Sequence, residues 1–349
     1  MKKYLRYFLS VSIAGVFLWL AFRNVSFGEV RLVMSTLTWY WVLPYLFISL
    51  FSHYLRAERW KLFIEQEGVR TNRLTLFTGV MLGYMVNYAV PRLGELSRSV
   101  YVGNKEELSR SRLVGTVVLE RGLDLLVLLV LVLVVFYYIL SDISVIAPIV
   151  GSETILLLTW VLSMDGVLFF FLFLVFFLLA LIGLYYMVVL LRRWLPFFSH
   201  LFDLITDISK KFFQGLLSIS RIKNWPLFLL LTAGIWFCYV IMTYIPFVAF
   251  NLHVLFDLGF REAFIITVIS AMGIALPSPG GIGTYHWLVS RSLFLLFAVP
   301  EAVGAAYSIV SHLVPMIIIL MITPLLLMIE QSGMFPGNKK QPQQHNLMA

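Results

Sequence analysis

Three groups of polar residues lie where the surrounding sequence is apolar. Arg92, Glu95 and Arg98 follow one another at spacings of three. On a helix they would share a face, and Glu95 could pair with either arginine. Glu120 and Asp124 are four apart with Arg121 between them, so the two carboxylates also share a face. The third group surrounds a break, Pro277-Ser278-Pro279-Gly280-Gly281-Ile282-Gly283, with Thr284, Tyr285 and His286 directly behind it. Asn87 stands before a similar break, Pro91-Arg92-Leu93-Gly94. A helix that restarts after such a break directs free N–H groups and the positive end of its dipole at a ligand, which favours an anion. Arginine grips phosphate oxygens with two parallel hydrogen bonds. The set Asn87, Arg92, Glu95, Arg98, Glu120, Arg121, Asp124, Ser278, Gly280, Gly281, Gly283, Thr284 and His286 therefore suits the phosphate-containing head of an amphiphile.

Structural alternatives stand beside that reading. Arg92–Glu95–Arg98 could form an ordinary cytoplasmic loop helix, and Glu120–Arg121–Asp124 an ion-pair cluster that locks helices together. Arg56, Glu58, Arg59 and Lys61 read as an interfacial anchor rather than a site. His53, His253 and His312 are isolated in sequence and read as satisfied helix or interface residues. The sequence holds no HExxH, no G-x-S-x-G, no P-loop and no Cys/His metal spacing. No metal or cofactor is therefore expected.

The elements that position these residues belong in a bilayer. Of 349 residues 60% are hydrophobic and 13% charged, against about 25% charged in a soluble globular protein. That composition excludes a soluble enzyme, a nucleic-acid-binding protein and a disordered chain. The single cysteine, Cys238, lies in an apolar run and reads as an inert buried thiol. Crossing a hydrocarbon core of ~30 Å takes ~20 apolar residues. Apolar runs cover residues 4–22, 39–54, 74–89, 113–140, 167–191, 226–250, 263–276, 282–299 and 302–329. The first has no cleavage signature behind it and reads as a retained helix. Trp39, Tyr40, Trp41 and Trp225 fit an interfacial aromatic belt.

Charge then sets topology. Residues 55–73 and 92–112 each carry five Lys or Arg, whereas residues 141–166 carry none. If every run crossed the membrane, the two basic groups would face opposite sides, against the positive-inside rule. The conflict disappears if residues 74–103 form a re-entrant hairpin turning at Pro91–Gly94 and residues 263–299 a second one entering from outside. The expected architecture is an all-α polytopic membrane protein with about six full spans, two re-entrant broken-helix hairpins and an inverted-topology repeat, both termini cytoplasmic. Residues 1–330 form one domain with pseudo-repeats 1–141 and 153–330, and the polar tail 331–349 reads as disordered. Residues 195–221 read as an amphipathic cytoplasmic surface helix, and residues 155–164 as a short piece on the outer surface.

Four motifs occur in order: Arg56-Ala57-Glu58-Arg59-Trp60, residues 87–98 from Asn87 to Arg98, Leu119-Glu120-Arg121-Gly122-Leu123-Asp124, and Pro279-Gly280-Gly281-Ile282-Gly283. In these the chain resembles the lysylphosphatidylglycerol synthase transmembrane (flippase-like) family. That family supplies the membrane module of the bacterial multiple peptide resistance factor. The resemblance spans roughly residues 5–330. It implies a protein of the bacterial inner membrane that moves a polar lipid between leaflets. No stretch matches the soluble aminoacyl-transferase domain, so lysyl-lipid synthesis is not expected. Many members carry a glutamate shortly after the Gly-Gly-x-Gly break, where this chain has Tyr285-His286. The expected partners are a membrane phospholipid or lipid-linked substrate and the bilayer, and no nucleic acid. The alternative is a membrane enzyme acting on a lipid-linked substrate, or an accessory subunit of a separate lipid synthase.

Overall fold

A computed structural model of the chain describes residues 15–23, 25–65, 69–90, 93–141, 222–276 and 278–332, with single positions at 12, 179 and 183. Several expectations fall outside these residues: most of the first apolar run, the run 167–191, the surface segments 155–164 and 195–221, the tail beyond Ser332, and Pro91, Arg92 and Pro277 at the two breaks. The chain divides into two compact units, residues 1–132 with 212–349, and residues 133–211. Everything below concerns the first.

Residues 15–22 are helical, and among the described residues there is no strand. The helices that follow are α1 (Phe27–Ser35), α2 (Val42–Ile64), α3 (Arg73–Ala89), α4 (Leu93–Lys105), α5 (Arg110–Ser141), α6 (Trp225–Ala249), α7 (Phe260–Ala275), α8 (Thr284–Phe297) and α9 (Glu301–Gln331). By length and composition, α6 and α9 can each cross a membrane, with mean hydropathies of 2.0 and 2.5. The pair formed by α1 and residues 39–64, bent by 77°, could supply another span. Leu125, Leu126 and Leu129 on α5, Leu229, Leu230 and Phe237 on α6, and Ile317, Met321 and Leu325 on α9 are all exposed. Each such side chain left in water forfeits about 25 cal/mol per Å² of apolar surface. Lipid removes that cost.

The second apolar run does not stop at Tyr54. Helix α2 continues through Ile64, carrying Arg56 and Arg59 inside it. It continues because Ala57, Trp60, Phe63 and Ile64 extend its buried face, and because both arginines meet carboxylates. The aromatic belt also needs one correction. Trp39 and Tyr40 are exposed, but Trp41 is buried against Tyr45, with ring centroids 5.8 Å apart.

Each break makes a helical hairpin. The Asn72 side chain caps α3 by accepting from Leu74 N at 2.8 Å. Gly79 and Gly83, one turn apart, let α4 return antiparallel at close range. A Cβ on Gly94 would stand 1.9 Å from Gly83 O, and one on Gly79 would stand 2.7 Å from Val102 Cγ2. The second hairpin is α7 and α8, with Gly273 close against the Tyr285 backbone. At 1.5 Å per residue the four arms measure ~26, ~20, ~24 and ~21 Å, each short of a ~30 Å hydrocarbon core.

The two hairpins enter from opposite ends of α9. Near its C-terminus, Glu330 accepts hydrogen bonds from Thr75 Oγ1 (2.6 Å) and from Tyr101 OH, at the open end of the first hairpin. Near its N-terminus, Glu301 pairs with Arg291 at 2.9 Å, and Val299 N donates to Leu293 O at 3.2 Å, at the open end of the second. The tips meet beside His312. A Cβ on Gly280 would stand 3.1 Å from Tyr88 Cδ1, and one on Gly281 would stand 3.6 Å from His312 Cε1. Gly280, Gly281 and Gly283 have φ of 58°, 78° and 86°, a left-handed turn that L side chains adopt only under strain.

Candidate functional site

Helices α2, α4 and α5 bring their charges to one place. Arg56 and Arg59, three apart on α2, face Glu120 and Asp124, four apart on α5. Arg56 Nη1 donates to Glu120 Oε1 at 2.8 Å and to Asp124 Oδ2 at 2.7 Å. Arg59 Nη2 donates to Asp124 Oδ1 at 2.7 Å and to Glu120 Oε1 at 3.3 Å. Arg98 on α4 reaches Glu120 Oε2 at 2.6 Å, with its guanidinium 4.6 Å from the Trp60 ring centroid. Tyr239 OH on α6 accepts from Arg56 Nη2 at 2.8 Å, and Trp60 Nε1 donates to Thr116 Oγ1 at 3.0 Å. The Tyr84 ring lies 5.8 Å from the guanidinium carbons of both Arg56 and Arg121.

The nest is graded in exposure. Glu120, Arg56, Arg59 and Arg98 are buried. Asp124 is 16% exposed, Glu95 22% and Arg121 37%, so the nest has one open edge. There Arg121 Nε stands 3.3 Å from Glu95 Oε1. Among the described residues, four guanidiniums (Arg56, Arg59, Arg98, Arg121) meet three carboxylates (Glu95, Glu120, Asp124). Arginine does not lose its proton in a protein, so with the carboxylates ionised the nest carries one excess positive charge. The buried Nε atoms of Arg56, Arg59, Arg98 and Arg121 have no hydrogen-bond partner. Both oxygens of Glu120 and of Asp124 accept from arginine.

The sequence points to Glu95, Arg98, Glu120, Arg121 and Asp124, whereas Arg56 and Arg59 read there as an anchor. The structure corrects that: both arginines are central to the nest. A signal was available, because Arg-x-x-Arg and Glu-x-x-x-Asp each present two charges on one helical face. Asn87 holds the first hairpin shut. Its Oδ1 accepts from Gly94 N at 2.8 Å, and its Nδ2 donates to Glu95 Oε1 at 3.3 Å.

The residues of the second break gather separately, at the hairpin junction. Ser278 Oγ and Thr284 Oγ1 are 2.8 Å apart, and Thr284 Oγ1 also donates to Gly273 O at 2.7 Å. Gly283 N donates to His286 Nδ1 at 3.3 Å. His312 is not the isolated, satisfied residue expected. Its ring centroid lies 5.0 Å from that of His286, and its buried Nε2 has no partner. His53 and His253 also depart from that expectation, since the Nδ1 atom of each is buried without a partner. The nest and the junction adjoin, since Tyr88, which packs on Gly280, is the residue after Asn87.

No solved structure matches the chain. The chain is 23% identical over 301 residues to the UPF0104 membrane protein MJ1595 of Methanocaldococcus jannaschii, covering 83% of this chain and 84% of the relative. It is 24% identical over 340 residues to the UPF0104 membrane protein PH1989 of Pyrococcus horikoshii, covering 90% and 93%. The family model described as lysylphosphatidylglycerol synthase TM region matches residues 7–322. With that match covering nearly the whole chain, this membrane protein belongs to the lysylphosphatidylglycerol synthase TM region family.

Proposed function

We propose that the protein moves a polar, phosphate-containing lipid from one leaflet of the cytoplasmic membrane to the other. The observation that carries this reading is the open edge of the arginine nest. The nest holds one guanidinium more than its carboxylates balance, and Arg121 is the most exposed of them. Directly beyond Asp124, α5 turns apolar and exposed at Leu125, Leu126, Leu129 and Val130. A charged edge continued by an apolar strip matches an amphiphile: phosphate at Arg121, acyl tails along α5 in lipid. The pairing of both carboxylates with arginine favours binding over acid–base chemistry.

The opposed hairpins support alternating access around a fixed site, as inverted repeats 1–141 and 153–330 would provide. Lys61, Arg73, Lys105, Arg110 and Arg112 lie toward the Glu330 end of the bundle, which supports a cytoplasmic assignment for that end and for both termini.

The test uses the full chain in vesicles containing phosphatidylglycerol with a fluorescent acyl chain. The readout is the fraction of dye protected from a membrane-impermeant reductant. Wild-type protein should make the inner-leaflet dye accessible. Arg121→Gln should slow this several-fold without changing thermal stability. Equal protection in wild-type and protein-free vesicles would refute the transport reading.

A further inference from the structure

We propose that His286 and His312 form a proton-binding site at the junction of the two hairpins, and that its occupancy drives the transport cycle. The coupling half of this statement rests on the transport reading above. The two imidazoles come from different helices, α8 and α9, and both are buried. Like charges at a centroid separation of 5.0 Å in such surroundings repel, so the pair takes up at most one proton.

His286 is wired to the backbone of the break. Its Nδ1 accepts from Gly283 N–H, the residue that caps α8, so the neutral ring carries its hydrogen on Nε2. Adding a proton to Nδ1 turns that acceptor into a donor and removes the Gly283 bond. Gly283 closes a left-handed turn whose other glycines pack on Tyr88 of the first hairpin and on His312. Protonation therefore loosens the contact between the tips. His312 Nε2, buried and without a partner, is the second place where the proton can reside.

A cavity of about 250 Å³ is lined by Leu20, Arg23, Trp287, Ser290, Arg291 and Glu301, at the Glu301 end of the bundle. A water occupies about 30 Å³ of liquid, so the cavity has room for several. Ser290 on its wall donates to the His286 carbonyl at 2.7 Å. Among the described residues, the ionisable group in ring contact with the pair is Tyr285 on α8, 4.7 Å from His312. Tyr45 on α2 donates to Ser311 O at 3.5 Å, and Tyr88 on α3 packs on Gly280. From the helix at 15–22 only the neutral Phe22 ring faces His286, at 6.2 Å. The described residues of α7 against the break, Gly273 and Ile274, carry no titratable side chain. Arg23, Arg291 and Glu301 line the cavity itself.

The test has two arms, both on the full chain in vesicles with Cys238→Ala. In the first, Ser278→Cys is labelled at about pH 4 and about pH 8, a window wide enough for imidazoles held away from water. Its rate is divided by that of the exposed Ser109→Cys. The ratio should rise several-fold at the acidic pH, and should be flat in His286→Asn, which keeps an acceptor for Gly283 N–H but takes no proton. His312→Gln supplies the same check if His286→Asn fails to fold. In the second arm, movement of labelled phosphatidylglycerol is followed with and without a pH gradient. The gradient should accelerate wild type several-fold, and either substitution should abolish the acceleration. A wild-type ratio identical at both pH values, or one still pH-dependent in the double variant, overturns the proton site. Lipid movement indifferent to the gradient overturns the coupling and leaves the transport reading standing. A pH-dependent ratio lost in His286→Asn, in a protein that moves no lipid, upholds the proton site and overturns transport.

Discussion

Glu120 accepts from three arginines while wholly buried, and no other carboxylate in the nest does. The attraction it gives is largely spent on desolvating the ions, so the pairing is weak as a source of net stability. Its removal is a different matter, because three buried guanidiniums then lose a counter-charge. Glu120→Gln should therefore destabilise the protein by about 3–5 kcal/mol, seen as a large fall in Tm in detergent. Arg121, at 37% exposure, should behave oppositely. Arg121→Gln should change stability by less than ~1 kcal/mol, as for exposed ion pairs, while slowing lipid movement. If Glu120→Gln is as stable as wild type, the nest is not a closed ionic lock. The residues of this lock were half legible in the sequence. Glu120 and Asp124 stood out because they interrupt an apolar run, whereas Arg56 and Arg59 sit where an apolar run fades and look like the start of a loop.

The same contrast holds for the elements. Proline and glycine at both breaks expose the hairpins in sequence, because few helices survive that density. What the sequence does not display is how closely the arms approach, which depends on Gly79, Gly83 and Gly94 falling on facing surfaces. Nor does it display the end of α2, since helix propensity alone does not say that Arg56 and Arg59 will find carboxylates 61 to 68 residues away. The close approach is testable. Gly94→Ala places a methyl 1.9 Å from Gly83 O and 2.6 Å from Asn87 Cγ, with a backbone atom on one side that cannot swing away. It should cost at least 1–3 kcal/mol, roughly the range for overpacking, and disturb the Asn87 bonds that shut the hairpin. Gly122→Ala, in α5, meets nothing within 4 Å and should gain up to about 1 kcal/mol from helix propensity. Equal effects of the two substitutions on Tm would show that the arms do not touch at Gly94.

At the scale of the molecule, the charge count and the packing bear on one expectation. The positive-inside rule requires the two basic segments flanking the first hairpin to share a side. The hydrogen bonds of Glu330 tie both ends of that hairpin, Thr75 and Tyr101, to one end of α9. The second hairpin is tied to the other end through Arg291 and Glu301. Helix α9 is 31 residues, ~46 Å at 1.5 Å per residue, and His312 stands ~17 Å from its start. With α9 as a membrane span, the tips would meet inside the thickness of the bilayer, where broken backbone is tolerated only when buried in protein or facing a polar cavity. Single cysteines in a Cys238→Ala background read this directly. Ser109→Cys, between α4 and α5, should react with an impermeant maleimide only from the cytoplasmic side of oriented vesicles. Val254→Cys, before α7, should react only from the opposite side. Reaction of both from one side would put the two hairpins in parallel, and the meeting of their tips beside His312 would have to be abandoned.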